Sequence, residues 1–242
     1  MGQPDQYLKH LLEHESPLVT GHAVEFVRAP EIKTSELRPD GIVRVLDRLR
    51  AKKLPAPWCL LREEAVADGK MRGDHTHPLA LQRCLFRREA RQAQRLDDPR
   101  VSARPEACAA WVVAPHVPRW LRAWAKRGWI TLTRVAPGCW SIGPSMYPVL
   151  WIAANELPLD EALIPFLVVR TGAKLKEFVG WVLDKREPAW LAQMVYALPE
   201  VAAMIPPFEP DLSPEEQQRV LKALRKSFIG REFMKKGRAR GL

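Results

Sequence analysis

No CxxC pair occurs anywhere in this chain, and its four cysteines, Cys59, Cys84, Cys108 and Cys139, stand far apart. Such spacing excludes a zinc ribbon and a disulfide framework and leaves buried free thiols in a reducing compartment. No uninterrupted apolar run reaches membrane length, the stretch from Tyr147 to Ala154 being too short for a bilayer. The opening Met1-Gly2-Gln3-Pro4-Asp5 is polar with no apolar core region, so no signal peptide is expected and the location read from it is cytoplasmic. Internal repeats and low-complexity segments are missing too.

What is present is a hydrophobic share of 47% with nine tryptophans in 242 residues, enough for a substantial core in one large domain or in one domain with a helical appendage. Lys and Arg exceed Asp and Glu by a formal +10, which points to an anionic partner, nucleic acid first. Part of that excess lies in the terminal Arg231, Lys235, Lys236, Arg238 and Arg240, so the charge argument is weaker for the rest of the chain.

Periodicity predicts a short amphipathic helix over 5–12, with Tyr7, Leu8, Leu11 and Leu12 as its stripe. Strands follow at 23–27, 41–46 and within 60–71, separated by polar or Pro-punctuated segments at 29–36 and 47–57. A helix from Pro78 to about Leu96 precedes the wholly apolar strand Cys108–Ala114. Beyond it come a helix at 118–127, strands at 129–133, 140–142 and 147–154, and helices at 160–167, 173–184, 188–198 and 213–228. Tryptophans interleaved with aliphatics read as core in preference to base-stacking platforms.

Two stretches carry chemistry: Pro39-Asp40 at the entrance of the second strand, and Asp68-Gly69-Lys70 at the end of the third. Residues two apart in a strand point the same way, so Asp68 and Lys70 project from one face. With Asp40 on the neighbouring strand, two carboxylates and an ammonium converge. Two carboxylates can hold Mg²⁺ through oxygen, and a lysine beside them orients a water or offsets charge on a phosphate. That set suffices for phosphodiester hydrolysis. A second acid-x-Lys triplet, Glu31-Ile32-Lys33, precedes the Pro-Asp pair instead of following it.

Arg83, Arg87, Arg91 and Arg95 recur every four residues along one helix face. Like charges so spaced repel, and an anion laid along them, such as a phosphate backbone, removes the cost. A solvated face balanced by Glu89, Asp97 and Asp98 explains the pattern equally well. His75, His77 and Cys84 lack a fourth partner for a tetrahedral zinc site.

Pro39-Asp40 followed by Asp68-Gly69-Lys70 resembles the PD-(D/E)XK nuclease superfamily. The opening Pro4-Asp5-Gln6-Tyr7-Leu8-Lys9-His10-Leu11-Leu12 is similar to the start of its Rpn/YhgA-like transposase-nuclease branch, His-Asp-x-x-Phe-Lys-x-Leu-Leu, with Pro4 for His and Leu8 for Phe. The resemblance implies a restriction-endonuclease-like α/β fold, a mixed sheet flanked by helices, over residues 1–158, and a helical C-terminal part over 159–242. It also implies a Mg²⁺-dependent DNA endonuclease. Asp40 and Asp68 would hold the metal, with Glu13 of the first helix as a further acidic group, and Lys70 would activate the water. Gln82 would stand where the family places a Gln or Arg after the triplet, and the Arg83–Arg95 face would track DNA. Two departures, Asp68 for the commoner Glu and Gly69 in a strand that usually reads Val-x-Glu-Val-Lys, keep open a catalytically decayed protein that binds nucleic acid or a protein partner. A third possibility makes the Trp-rich second half a protein-interaction surface.

Overall fold

The structure, a computed structural model, describes residues 4–27, 40–71, 76–97, 104–143, 149–183, 185, 186 and 190. Pro39, the Glu31-Ile32-Lys33 triplet, His75, nearly all of the helix expected at 188–198, the helix expected at 213–228 and the basic tail lie outside those residues.

Helix α1 (Pro4–Val19) runs past its expected end, and Leu8, Leu11 and Leu12 are buried as the stripe requires. A turn through Gly21 and His22, both at positive φ, leads into β1 (Val24–Val27), which pairs antiparallel with β2 (Gly41–Val45). The basic segment after β2 contains a short helix, α2 (Arg48–Ala51), whose N-terminus is capped by the Asp47 carboxylate accepting from the Leu49 and Arg50 N–H groups. Strand β3 (Glu64–Gly69) then pairs antiparallel with β2. Helix α3 (Pro78–Leu96) forms the crossover to β4 (Cys108–Ala114), which is parallel to β3. After α4 (Arg119–Lys126) come the hairpin β5 (Leu132–Ala136) and β6 (Cys139–Ile142), then β7 (Val149–Ala153), parallel to β4. The result is a seven-stranded mixed sheet in the order β1-β2-β3-β4-β7-β6-β5, parallel at its centre and antiparallel toward both edges.

Strands β4 and β7 are buried along their whole length, as central strands covered on both faces must be. On one face Ala110, Val112, Ala114 and Trp151 pack with Leu81 and Cys84 of α3 and Leu121 of α4. On the other, Trp111 meets Trp58 and Phe166, whose rings lie 4.7 Å apart, and the Trp58 indole N–H donates to the Ala162 carbonyl at 2.6 Å. Trp58, Trp111 and Trp151 are thus core residues, as their aliphatic neighbours suggest. Phe166 belongs to helix α5 (Ile164–Leu167), and Arg170 just beyond donates to the Ala154 carbonyl at 3.0 Å. The sheet unit therefore extends over Leu8–Thr171, past the boundary expected at 158/159. Residues 1–7 and 172–242 form the other unit, whose described part includes helix α6 (Gly172–Leu183), with Leu175, Phe178, Val179 and Val182 buried.

Two local features fix the frame. The Phe26 ring lies over Gly41, so that a Cβ there would come within 1.9 Å of its Cζ. Only glycine fits, and the aromatic covers the bare backbone of the neighbouring strand. Helix α4 ends in a Schellman motif: Gly128, at φ +72°, donates to the Ala125 carbonyl and Trp129 to that of Trp124, both at 3.0 Å. The motif consumes Trp129, so β5 begins at Leu132 and not at the expected 129.

Candidate active site

The antiparallel register of β2 and β3 pairs Gly41 with Ala67. Asp40 precedes β2, just beyond the last pair of that register. Asp40 Oδ2 accepts a hydrogen bond from the Gly69 N–H at 2.8 Å, taking up a strand donor where β2 no longer pairs with β3. Its Oδ1 lies 3.6 Å from Lys9 Nζ of α1. Asp68 is almost fully enclosed, its side chain 2% exposed. The Lys70 ammonium lies 2.9 Å from Asp68 Oδ2 and hydrogen-bonds Oδ1 at 3.1 Å, while the Arg87 guanidinium of α3 donates to Oδ1 at 2.9 Å. At the carboxyl end of β3 Lys70 thus sits on the Asp68 carboxylate, and Asp40 on the N–H of Gly69, the next residue.

Burial pushes the Asp68 carboxyl up from the usual carboxylate range. The Lys70 charge pulls it back down and the Asp40 carboxylate pushes it up again, and the net direction is upward. The adjacent Cys84 thiol is also pushed far up, first by complete burial and then by Asp68, so Cys84 is an inert apolar residue of the α3 face.

Gly69 earns its place by close approach. A Cβ there would come within 2.1 Å of Leu8 Cδ2, so the glycine lets α1 press onto the end of β3 opposite the Asp68 face. The strand-weakening residue is the one that admits the helix carrying Lys9.

The remaining site expectations distribute differently. Glu13 lies one turn beyond Lys9, half-buried on α1. No three or more His, Cys, Asp and Glu gather to hold a metal among the described residues, so Glu13 is not assembled with the two aspartates. Gln82 and Arg83 are exposed on the first turns of α3. Arg91 clasps Glu64 with two hydrogen bonds, Nε–Oε1 at 2.8 Å and Nη2–Oε2 at 3.1 Å. Arg95, 4% exposed, reaches Glu64 Oε2 at 3.1 Å and also pairs with Glu63. The anion that relieves repulsion along Arg87, Arg91 and Arg95 is thus the protein's own, Asp68 and Glu64 of β3, and these three do not form an open face for a phosphate backbone. His77 caps α3, its Nδ1 accepting from the Leu79 N–H at 3.4 Å.

Lys9 and Arg87 are site cations that the sequence argument did not single out as such. A signal for Arg87 existed. Glu64 and Asp68, an even number of residues apart on one strand, must share a face, and arginines every four residues on the following crossover helix supply a matching row. Comparisons with protein-family models, with curated proteins and with solved structures find no match for this chain.

Proposed function

We propose that the chain is a nuclease-like protein of restriction-endonuclease-like architecture that hydrolyses DNA phosphodiester bonds, with Mg²⁺ as its cation. The observation that carries this is the Lys70 ammonium on the buried Asp68 carboxylate, with Asp40 on the N–H of the intervening Gly69. The order of two antiparallel strands, the triplet-bearing strand, a crossover helix and a parallel strand supports the architecture.

The donor set fits Mg²⁺, which takes one or two protein carboxylates and completes its shell with waters and substrate phosphate. Among the described residues Asp68 Oδ2 accepts no hydrogen bond and has only the Lys70 ammonium, 2.9 Å away, as its ionic neighbour, and burial first, then the Asp40 charge, moves this carboxyl upward. Asp40 and Asp68 would hold the ion. When bound, it supplies Lewis-acid charge at the scissile phosphate and lowers the proton affinity of the attacking water. Lys70 turns its ammonium from Asp68 to a non-bridging phosphate oxygen and offsets the charge that develops there. Arg87 stays on Asp68 Oδ1 and keeps that carboxylate oriented. The Gly69 N–H fixes Asp40 through Oδ2.

Nicking of supercoiled plasmid with Mg²⁺ tests this. Asp40→Asn and Lys70→Ala, checked as folded by circular dichroism, are each expected to lose about 100-fold or more in rate, the scale of removing one transition-state contact. Mg²⁺ is also expected to raise the melting temperature of the wild type and not of Asp40→Asn. Undiminished nicking by both variants would overturn the site.

A second function is favoured by the enclosure of Asp68 between Lys70 and Arg87. A carboxylate so paired suits a decayed nuclease that binds nucleic acid without cutting it. In that case DNA binding falls steeply with salt and no divalent cation produces nicks.

A further inference from the structure

No Asp or Glu occurs between Glu106 and Glu156, while Arg119, Arg122, Lys126, Arg127 and Arg134 all fall inside that stretch. The fold gathers these cations. All five are exposed, four along or just beyond α4 and the last on the edge strand β5. Arg134 is the cross-strand partner of Trp140, and the Arg122 guanidinium lies 4.9 Å from the same ring, so α4 and the β5–β6 hairpin present one continuous surface. Glu156 at its border is engaged by Arg122 at 3.3 Å and by the Trp140 indole N–H at 2.9 Å.

Aromatic rings are set into this basic surface. Trp120 and Trp124 stand 4.9 Å apart, and Trp124 and Trp129 6.2 Å apart. The Schellman turn holds Trp129 at the corner, where it is 64% exposed, with the Arg127 guanidinium 4.9 Å from its ring centroid. Core packing accounts for Trp120 and Trp140, which lie against the buried cluster beneath. It does not account for Trp129.

We propose that this face binds single-stranded nucleic acid, with its phosphates on the five cations and a base stacked on Trp129. Unpaired bases offer ring faces to an indole and a duplex does not, whereas phosphates follow a positive surface in either form. Arg127 on the ring adds cation–π support to a base stacked there. The face lies on α4 and the β5–β6 edge and includes none of Asp40, Asp68 and Lys70, so binding is independent of hydrolysis.

The test is fluorescence anisotropy of a labelled oligo-dT and of a duplex of equal length, at low salt and with EDTA. Wild type is expected to prefer the single strand. Trp129→Ala, which leaves the charge unchanged at an exposed position, is expected to weaken it roughly tenfold. Arg127→Ala is expected to weaken binding and to lower the slope of log K against log salt by about 0.7. Lys176→Ala, on α6, is expected to bind as wild type does. Oligo-dT binding unchanged by Trp129→Ala overturns the proposal. So does a wild type that binds no oligonucleotide, or a Trp129→Ala effect seen only as loss of self-association in sedimentation.

Discussion

Glu64 and Asp68 lie four residues apart on one strand, face the same helix and are both held by its arginines, yet their carboxyls move in opposite directions. Burial pushes each up. At Glu64 the hydrogen bond and charge of Arg91, joined by those of Arg95, outweigh burial, and the carboxyl ends below its usual range. Arg44, its cross-strand partner, adds a contact at 3.5 Å. At Asp68 the cations are fewer, the Asp40 charge pushes the same way as burial, and burial prevails. The same strand–helix seam therefore holds a fully clasped carboxylate at one end and a buried, less compensated one at the other. What separates them is the number of cations per carboxylate and the presence of Asp40.

The largest effect that can break this comparison comes from opening the clasp. Glu64→Ala strands Arg91 and Arg95 beside a removed anion and is expected to cost about 3–5 kcal/mol in urea unfolding. Arg83→Ala, on the exposed start of the same helix, is expected to stay within about 0.5 kcal/mol. A similar cost for both would mean that the seam contributes no more than a solvated helix face.

Next in size is the contact that seats α1. Gly69→Ala drives a methyl into Leu8 and is expected to cost about 1–3 kcal/mol. Leu8→Ala alone is expected to cost about 2–5 kcal/mol for its cavity. The double variant should cost less than the sum, because the shortened side chain makes room for the added methyl. Strict additivity in denaturant midpoints would sever the link between the glycine and the helix.

The smallest effects are titrations. Glu64, with its carboxyl lowered, contributes stability that is present above its unfolded range and lost as pH falls through the lower folded value. Asp68, with its carboxyl raised, runs the other way: its contribution is present at acid pH and lost as pH rises through the raised value. Urea midpoints between about pH 3 and 7 should show Glu64→Gln flattening the acid loss. Carboxyl carbon NMR should show Asp40→Asn moving Asp68 downward while Glu64 stays in place. An unmoved Asp68 would mean that the two aspartates do not sense one another.

Much of this was legible along the chain. Pro78 and the four-residue arginine period mark α3, the unbroken apolar run marks β4, and the even spacing of Asp68 and Lys70 puts both on one face. The register that brings the start of β2 to the end of β3 had a weak signal: both strands are short, and nothing in either says which residue faces which. The arginine face was ambiguous because charge period reveals direction and not partner. Only the crossover shows that α3 turns Arg91 and Arg95 inward onto β3. β5 was displaced because Trp129 and Ile130 have strand composition, while the glycine before them commits the chain to a helix stop.

The Phe26 ring seated on Gly41 carries a consequence for the aspartate next door. Side chains alternate faces along a strand, so sliding β2 by one residue against its neighbours would turn each of its side chains to the other face and take Asp40 off the Gly69 N–H. That slip would also push Asp40 or Ile42 beneath the ring, where even one carbon does not fit. The aromatic acts as a detent that sets the phase of the hairpin, and through it the position of the carboxylate one residue along.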